Sequence, residues 1–148
     1  MVLAVIPVKF KNLHELGDFN FMIKLEEYND ALFIFNDNIE EHNDSKRGGG
    51  NAVIRPYNKY GVFKDYPRSA GIPTGSYKDN GFKELNENNK KIIDSAFEEI
   101  YDLIKKHKYK RIFYSGSKDS DLIGTSIFEV NTEVLEYITN KIIQLKEL

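Results

Sequence analysis

Two stretches of the chain carry residue types that could hold a phosphorylated ligand. One, FNDNIEEHNDSKRGGGNAV, runs from Phe35 to Val53 and contains Gly48, Gly49 and Gly50 in succession. The other, GSKDSDLIGTSIF, runs from Gly116 to Phe128. Glycine lets backbone N–H groups come close to an anion, and a helix start behind the loop adds partial positive charge. Two such loops facing each other could hold the two phosphates of a pyrophosphate. Neither stretch is a Walker loop, because GxxxxGK[ST] is absent, and neither is a GxGxxG dinucleotide fingerprint. Three successive glycines are also what a flexible turn contains, so both readings stand at this point.

The polar groups near these loops define the chemistry on offer. Hydrolysis needs a base or a positioned water within hydrogen-bond reach. Asp37, Asn38, His42 and Asn51 are the available groups, with Asp37 and Asn51 the catalytic candidates. Asparagine cannot act as a base but can orient a water or a ribose hydroxyl. Arginine is scarce in a lysine-rich chain, so Arg55 beside the glycines suits bidentate contact with a phosphate or carboxylate. An ordinary ion-paired arginine is the competing reading, for Arg55 and for Arg68 alike. His14, His42 and His107 are dispersed without ligand spacing and read as solvated, with His42 nearest the loop. Asp119-Ser120-Asp121 lacks a glutamate at calcium-loop spacing and reads as a surface turn. Neither a metal nor a cofactor is expected. Tyr57, Tyr60, Tyr77 and Phe128 lie close to loops and could stack on a base.

Elements that could position these residues can be traced along the chain. Val2 to Phe10 is apolar with Pro7 inside, which predicts an edge or terminal strand. Phe19 to Leu25 reads as a second strand. Ala31 to Phe35, ALFIF, is a continuous apolar run of the kind buried on both faces. A short helix is expected over Asn51 to Tyr60, limited by Pro56. A small strand is expected over Ser69 to Pro73. Ile93, Ala96, Phe97, Ile100 and Ile104 recur at helical spacing, followed by basic residues suited to a helix C-terminus. Arg111 to Ser115, RIFYS, is a further buried strand. Asn131 caps a last helix with Val134, Leu135, Ile138, Ile142 and Leu145 on one face. The alternation argues for one α/β layered domain, residues 1–148, with a mixed, largely parallel sheet. In such sheets ligands bind beyond the C-terminal strand ends, the position of three loops here, Asn36 to Asn51, Gly71 to Ser76 and Gly116 to Phe128.

Composition narrows the classes. A chain of 148 residues with 41% hydrophobic and 30% charged residues is ordinary for a globular protein. The formal net charge of −2 gives no global field for nucleic-acid phosphates. Nucleic acid is therefore not an expected partner, although a local basic patch stays open. With no cysteine there is no disulfide, thiolate nucleophile or Cys-based zinc site. The opening MVLAVIPV is too short for a membrane helix and lacks a basic leader, so no membrane association and a cytoplasmic location are expected, in a host cytoplasm if the protein is viral. The oligomeric state is not encoded in any motif.

The loop residues resemble those of macrodomains, and more closely the compact macro-like proteins of phages and bacteria. The matching positions are Asn36-Asp37-Asn38, His42, Gly49-Gly50-Asn51-Ala52, Ile72-Pro73-Thr74 and Ile123-Gly124-Thr125-Ser126. The resemblance spans about Ala31 to Leu145 and implies a three-layer α/β/α fold with a cleft for ADP-ribose or a related nucleotide. It would place Asp37 and Asn38 near the adenine or distal ribose. Gly49, Gly50, Asn51 and Ala52 would line the diphosphate and proximal ribose. Gly124, Thr125, Ser126 and Ile127 would close the phosphate site, with Phe128 stacking on the ligand. Asn36, Gly48, Arg55, Thr74 and Ser115 complete the expected ligand-binding set. The late loop departs from the family's Gly-aromatic-Gly, reading Ile127-Phe128-Glu129. Gly17-Asp18-Phe19 is similar to the Gly-Asp-Ile that contacts adenine in macrodomains. Its separation from ALFIF is too long for the family pattern, so Asp18 receives no role. Three functions follow: a binding module for ADP-ribose-like nucleotides, a hydrolase acting on ADP-ribosyl or ADP-ribose-phosphate groups in the same cleft, or an interaction domain with a vestigial cleft.

Overall fold

The computed structural model describes residues 3–61, 66–125 and 128–148. Four strands form one sheet: β1 (Ala4–Val8), β2 (Ala31–Asp37), β3 (Ser69–Pro73) and β4 (Arg111–Ser115). Their spatial order is β1-β4-β2-β3, and each pairing is parallel. The expected mixed, largely parallel sheet is thus wholly parallel in its named strands, and the fold is α/β. An isolated antiparallel bridge joins Gly116 to Ile123. β1 is an edge strand, which is where Pro7 can be carried without losing a needed donor.

Among the described residues three α-helices accompany the sheet: α1 (Phe19–Met22), α2 (Glu87–Lys106) and α3 (Thr132–Gln144). A 3₁₀ helix spans Gly50–Tyr57, and shorter 3₁₀ turns cover Glu26–Tyr28 and Leu145–Glu147. Strand residues alternate between two cores. Leu32, Ile34, Ile72 and Ile112 pack with Ile93, Phe97 and Ile100 of α2 and Val134, Ile138 and Ile142 of α3. Phe33, Phe35 and Phe113 pack on the opposite face with Phe19 and Met22 of α1 and Ala52 and Ile54 of the 3₁₀ helix. The result is helices, sheet, then short helical segments, compatible with a three-layer α/β/α arrangement. Burial on both faces explains why ALFIF shows no polar alternation.

Phe19 to Leu25, expected as a strand, is instead α1 and the turn after it. The stretch fits two periods. Phe19, Phe21, Ile23 and Leu25 alternate, while Phe19, Met22 and Ile23 have helical spacing. The second set is the buried one, because the available space lies against a sheet face already built by Phe33 and Phe113. The expected helix over Asn51 to Tyr60 is the 3₁₀ helix, ending at Tyr57 after Pro56. Among the described residues no helix is long and apolar enough to cross a membrane.

Candidate functional site

Because the strands are parallel, the segments that follow them gather at one end of the sheet. Those after β1 and β2 turn to the face of α1 and the 3₁₀ helix. Those after β3 and β4 turn to the face of α2 and α3. Neighbouring strands therefore send their chains to opposite faces, which opens a crevice above β4 and β2.

The three successive glycines Gly48, Gly49 and Gly50 border that crevice, each in a different situation. A Cβ on Gly48 would stand 2.7 Å from Arg55 Nη1 and 2.9 Å from the Ala52 Cβ, so this position is needed for close packing. Gly50 has φ +57°, the left-handed region that β-branched residues avoid. Gly49 has φ −85° and ψ 166°, which any residue adopts, and its Cβ would meet nothing within 4 Å. Neither packing nor backbone geometry requires a glycine there.

Two cavities adjoin this loop. A cleft of about 1190 Å³ is lined by Gly48, Gly49, Gly50, Asn51, Ser115, Gly124 and Thr125, together with residues after β1. A smaller cavity of about 170 Å³ is lined by Asn36, Asp37, Asn38, Ala52, Arg55, Tyr77 and Phe128. Gly49, Gly50 and Thr125 line both. Comparison with family models, curated proteins and solved structures finds no match. The cavities thus stand on their geometry alone. Of the expected ligand-binding set, Thr74 reaches neither. It is buried, with its N–H 3.0 Å and its hydroxyl 3.4 Å from the Asp37 carbonyl, where it splices β3 to the end of β2. Ser126 and Ile127 lie outside the described residues.

Asp37 and Arg55 form a buried pair rather than an open site. Arg55, 1% exposed, donates from Nε at 3.1 Å and Nη2 at 2.5 Å to Asp37 Oδ1, and from Nη1 to the Lys46 carbonyl at 2.9 Å. Asp37 Oδ2 meets His42 Nδ1 at 3.3 Å. His42 Nε2 lies 2.6 Å from Glu99 Oε1 on α2, and Glu99 Oε2 accepts from Tyr60 and Lys59 at 2.5 and 3.0 Å. Room for the Asp37 carboxylate is left by Gly71 of β3, where a Cβ would stand 2.5 Å from Oδ2. Burial raises the Asp37 pKa, but hydrogen bonds from His42 and Arg55 outweigh it and hold the carboxyl below its usual range. Burial also opposes charge on His42, yet Asp37 and Glu99 together lift it to about 9. Glu99, pushed up by burial, is pulled down to about 2 by hydrogen bonds from His42, Tyr60 and Lys59. His42, expected to be solvated, is instead the cationic link between two carboxylates.

This arrangement sets what the site can do. Both Asp37 oxygens are engaged, so the carboxylate is a poor proton acceptor for a bound water. Asn51 borders the large cleft, where it can orient a hydroxyl or water. Among the described residues Asn36 Oδ1 has no hydrogen-bond partner, and it is buried at the wall of the small cavity, an acceptor available to a ligand hydroxyl. Among the described residues no group of three or more His, Asp or Glu side chains is placed to hold a metal. His14 is exposed and its backbone N–H donates to Asp18 Oδ2 at 2.9 Å, while His107 packs against Tyr66 and Tyr109.

The sequence missed one wall of the large cleft, formed by Lys9, Phe10, Lys11, Leu13 and Asp18. The Gly17-Asp18-Phe19 motif was the available signal. Its long separation from ALFIF is taken up by α1 and the turn at Glu26–Tyr28, which brings Asp18 back to the crevice.

Proposed function

We propose that the protein binds a nucleoside diphosphate linked to a sugar, ADP-ribose being the chemical type. The diphosphate lies across Gly49 and Gly50 and faces Thr125. The nucleoside occupies the large cleft, and the terminal sugar occupies the small cavity. Gly49 carries the reading. Its conformation and surroundings accept any side chain, yet it lies where the two cavities meet, so the space above it is what a side chain would take away. The unpartnered Asn36 Oδ1 supports a hydroxylated group in the small cavity. The resemblance to macrodomains around Asn36 to Ala52 and Ile123 to Phe128 points to the same ligand class. The engagement of both Asp37 oxygens favours binding over hydrolysis by that carboxylate.

The test is melting in the presence of ADP-ribose, its 1″-phosphate, NAD, ATP and AMP, followed by calorimetry on whatever shifts. A ligand that binds only the folded state raises its stability, by about 2.7 kcal/mol at a hundredfold excess over Kd. ADP-ribose should stabilise the native protein and leave Gly49→Val unmoved. Mass spectrometry of the recovered ligand separates binding from turnover. A flat response to every nucleotide at millimolar concentration sinks the reading.

A further inference from the structure

We infer that the outer lip of the large cleft binds the sugar–phosphate chain of a single-stranded nucleic acid. Its further element, that the strand's terminal nucleotide enters at the glycine loops, rests on the nucleotide reading above. The chain's net charge of −2 conceals an uneven distribution. Lys9 and Lys11 after β1, Arg47 before the glycines and Lys118 after β4 line the same cleft, from three different segments. Asp18 is the one carboxylate residue in that lining, and it accepts from the His14 N–H. Lys9 has a single long contact, 3.9 Å to the 73% exposed Asp121 side chain. Lys11, Arg47 and Lys118 have no ion-pair partner among the described residues.

Apolar surface interrupts the charge. Phe10, between the two lysines, is 52% exposed, and Leu13 on the same wall is 68% exposed. Cations that track a backbone, alternating with a ring on which a base can stack, are the elements of single-strand binding. The volume agrees: about 1190 Å³ exceeds the roughly 300–1,000 Å³ of small-molecule pockets. A lone diphosphate would leave most of these cations unused. An acidic peptide would satisfy the charges but has no use for an exposed ring continuous with a glycine loop.

The experiment is fluorescence anisotropy with short single-stranded DNA and RNA oligonucleotides at several salt concentrations, with polyglutamate and inorganic polyphosphate as comparison anions. Three or four phosphate contacts predict a log–log salt slope of about −2 to −3. The double variant Phe10→Ala/Lys11→Ala, at two exposed positions, should lower oligonucleotide affinity about fivefold or more while its melting temperature stays within a few degrees of the parent protein's. Comparing DNA with RNA identifies the source of the strand. Oligonucleotide binding with this slope and this loss supports the lip assignment, even if ADP-ribose neither binds nor competes, in which case only the glycine-loop reading fails. Absence of oligonucleotide binding, equal binding of the other polyanions, or indifference to the double variant overturns it. The nucleotide reading then stands or falls on its own melting test.

Discussion

Gly49 and Gly50 are neighbours whose substitutions should separate cleanly. Gly49→Val should keep its melting temperature within a few degrees and lose nucleotide binding. Gly50→Val should lose stability by about 1–3 kcal/mol, because valine is strained at positive φ. Thermal melts alongside calorimetry distinguish the two. Asp37→Ala should cost about 3 kcal/mol, since it removes the carboxylate that takes two hydrogen bonds from the buried Arg55, leaving that guanidinium only the Lys46 carbonyl and Glu41 Oε2 at 3.6 Å. Urea unfolding measures this, and a loss of function in that variant would report folding rather than catalysis. His42 carries a pH dependence. Its folded pKa of about 9 lies above the ordinary 6.5, so its contribution is complete below pH 6.5 and disappears as pH rises through 9. At most it amounts to about 3 kcal/mol. Denaturation midpoints across that window should fall in the native protein and stay flatter in His42→Gln. Glu99 acts in the opposite sense at acid pH. Its lowered pKa of about 2 gives stability present above pH 4.5 and lost as pH falls towards 2.

The helices and strands differ in how far local sequence determined them. Asn131 is legible as a cap because a short polar acceptor precedes an apolar helical period. The structure has Asn131 Oδ1 accepting from Glu133 N at 2.8 Å. Asn131→Ala should cost about 1 kcal/mol, visible as a melting shift of a few degrees. β3 was also legible from its boundaries, yet its glycine was not. Gly71 is small because Asp37 of the adjacent strand fills the space, and the pairing of β2 with β3 is not written in either segment. Gly71→Ala should therefore destabilise by about 2 kcal/mol, as overpacking against a buried charge does, measured by chemical denaturation. α1 failed as a sequence reading for a related reason. Its residues satisfy two periods, and only the sheet face they meet selects one.

At the scale of the whole molecule, the parallel sheet gathers loops that are distant in sequence. The large cleft joins residues after β1, after β2 and after β4, from Lys9 to Thr125. The ion network does the same across the β3 side, where His42 reaches Glu99 on α2 fifty-seven positions away. Breaking that link should loosen the loop before the glycines as well as α2. Hydrogen exchange on Glu99→Gln should therefore show faster exchange in the loop segment around His42 to Gly48 as well as in α2, whereas protection in α3 stays unchanged.

The sequence by itself determined the α/β class, the continuous apolar strands, the two long amphipathic helices with the Asn131 cap of the second, and the glycine loop as a candidate site. Each of these follows from local periodicity or from a residue's own conformational preference. The tertiary structure decided which of three adjacent glycines is there for packing, which for backbone geometry and which for neither. It also turned Asp37 and His42 from candidate reactive groups into members of a buried ion network, and brought Asp18 and the Lys9-Phe10-Lys11 lip to the cleft. Those outcomes depend on strand order and on the cost of burying charge. Both are set by contacts between segments far apart in the chain, so no window of sequence contains them.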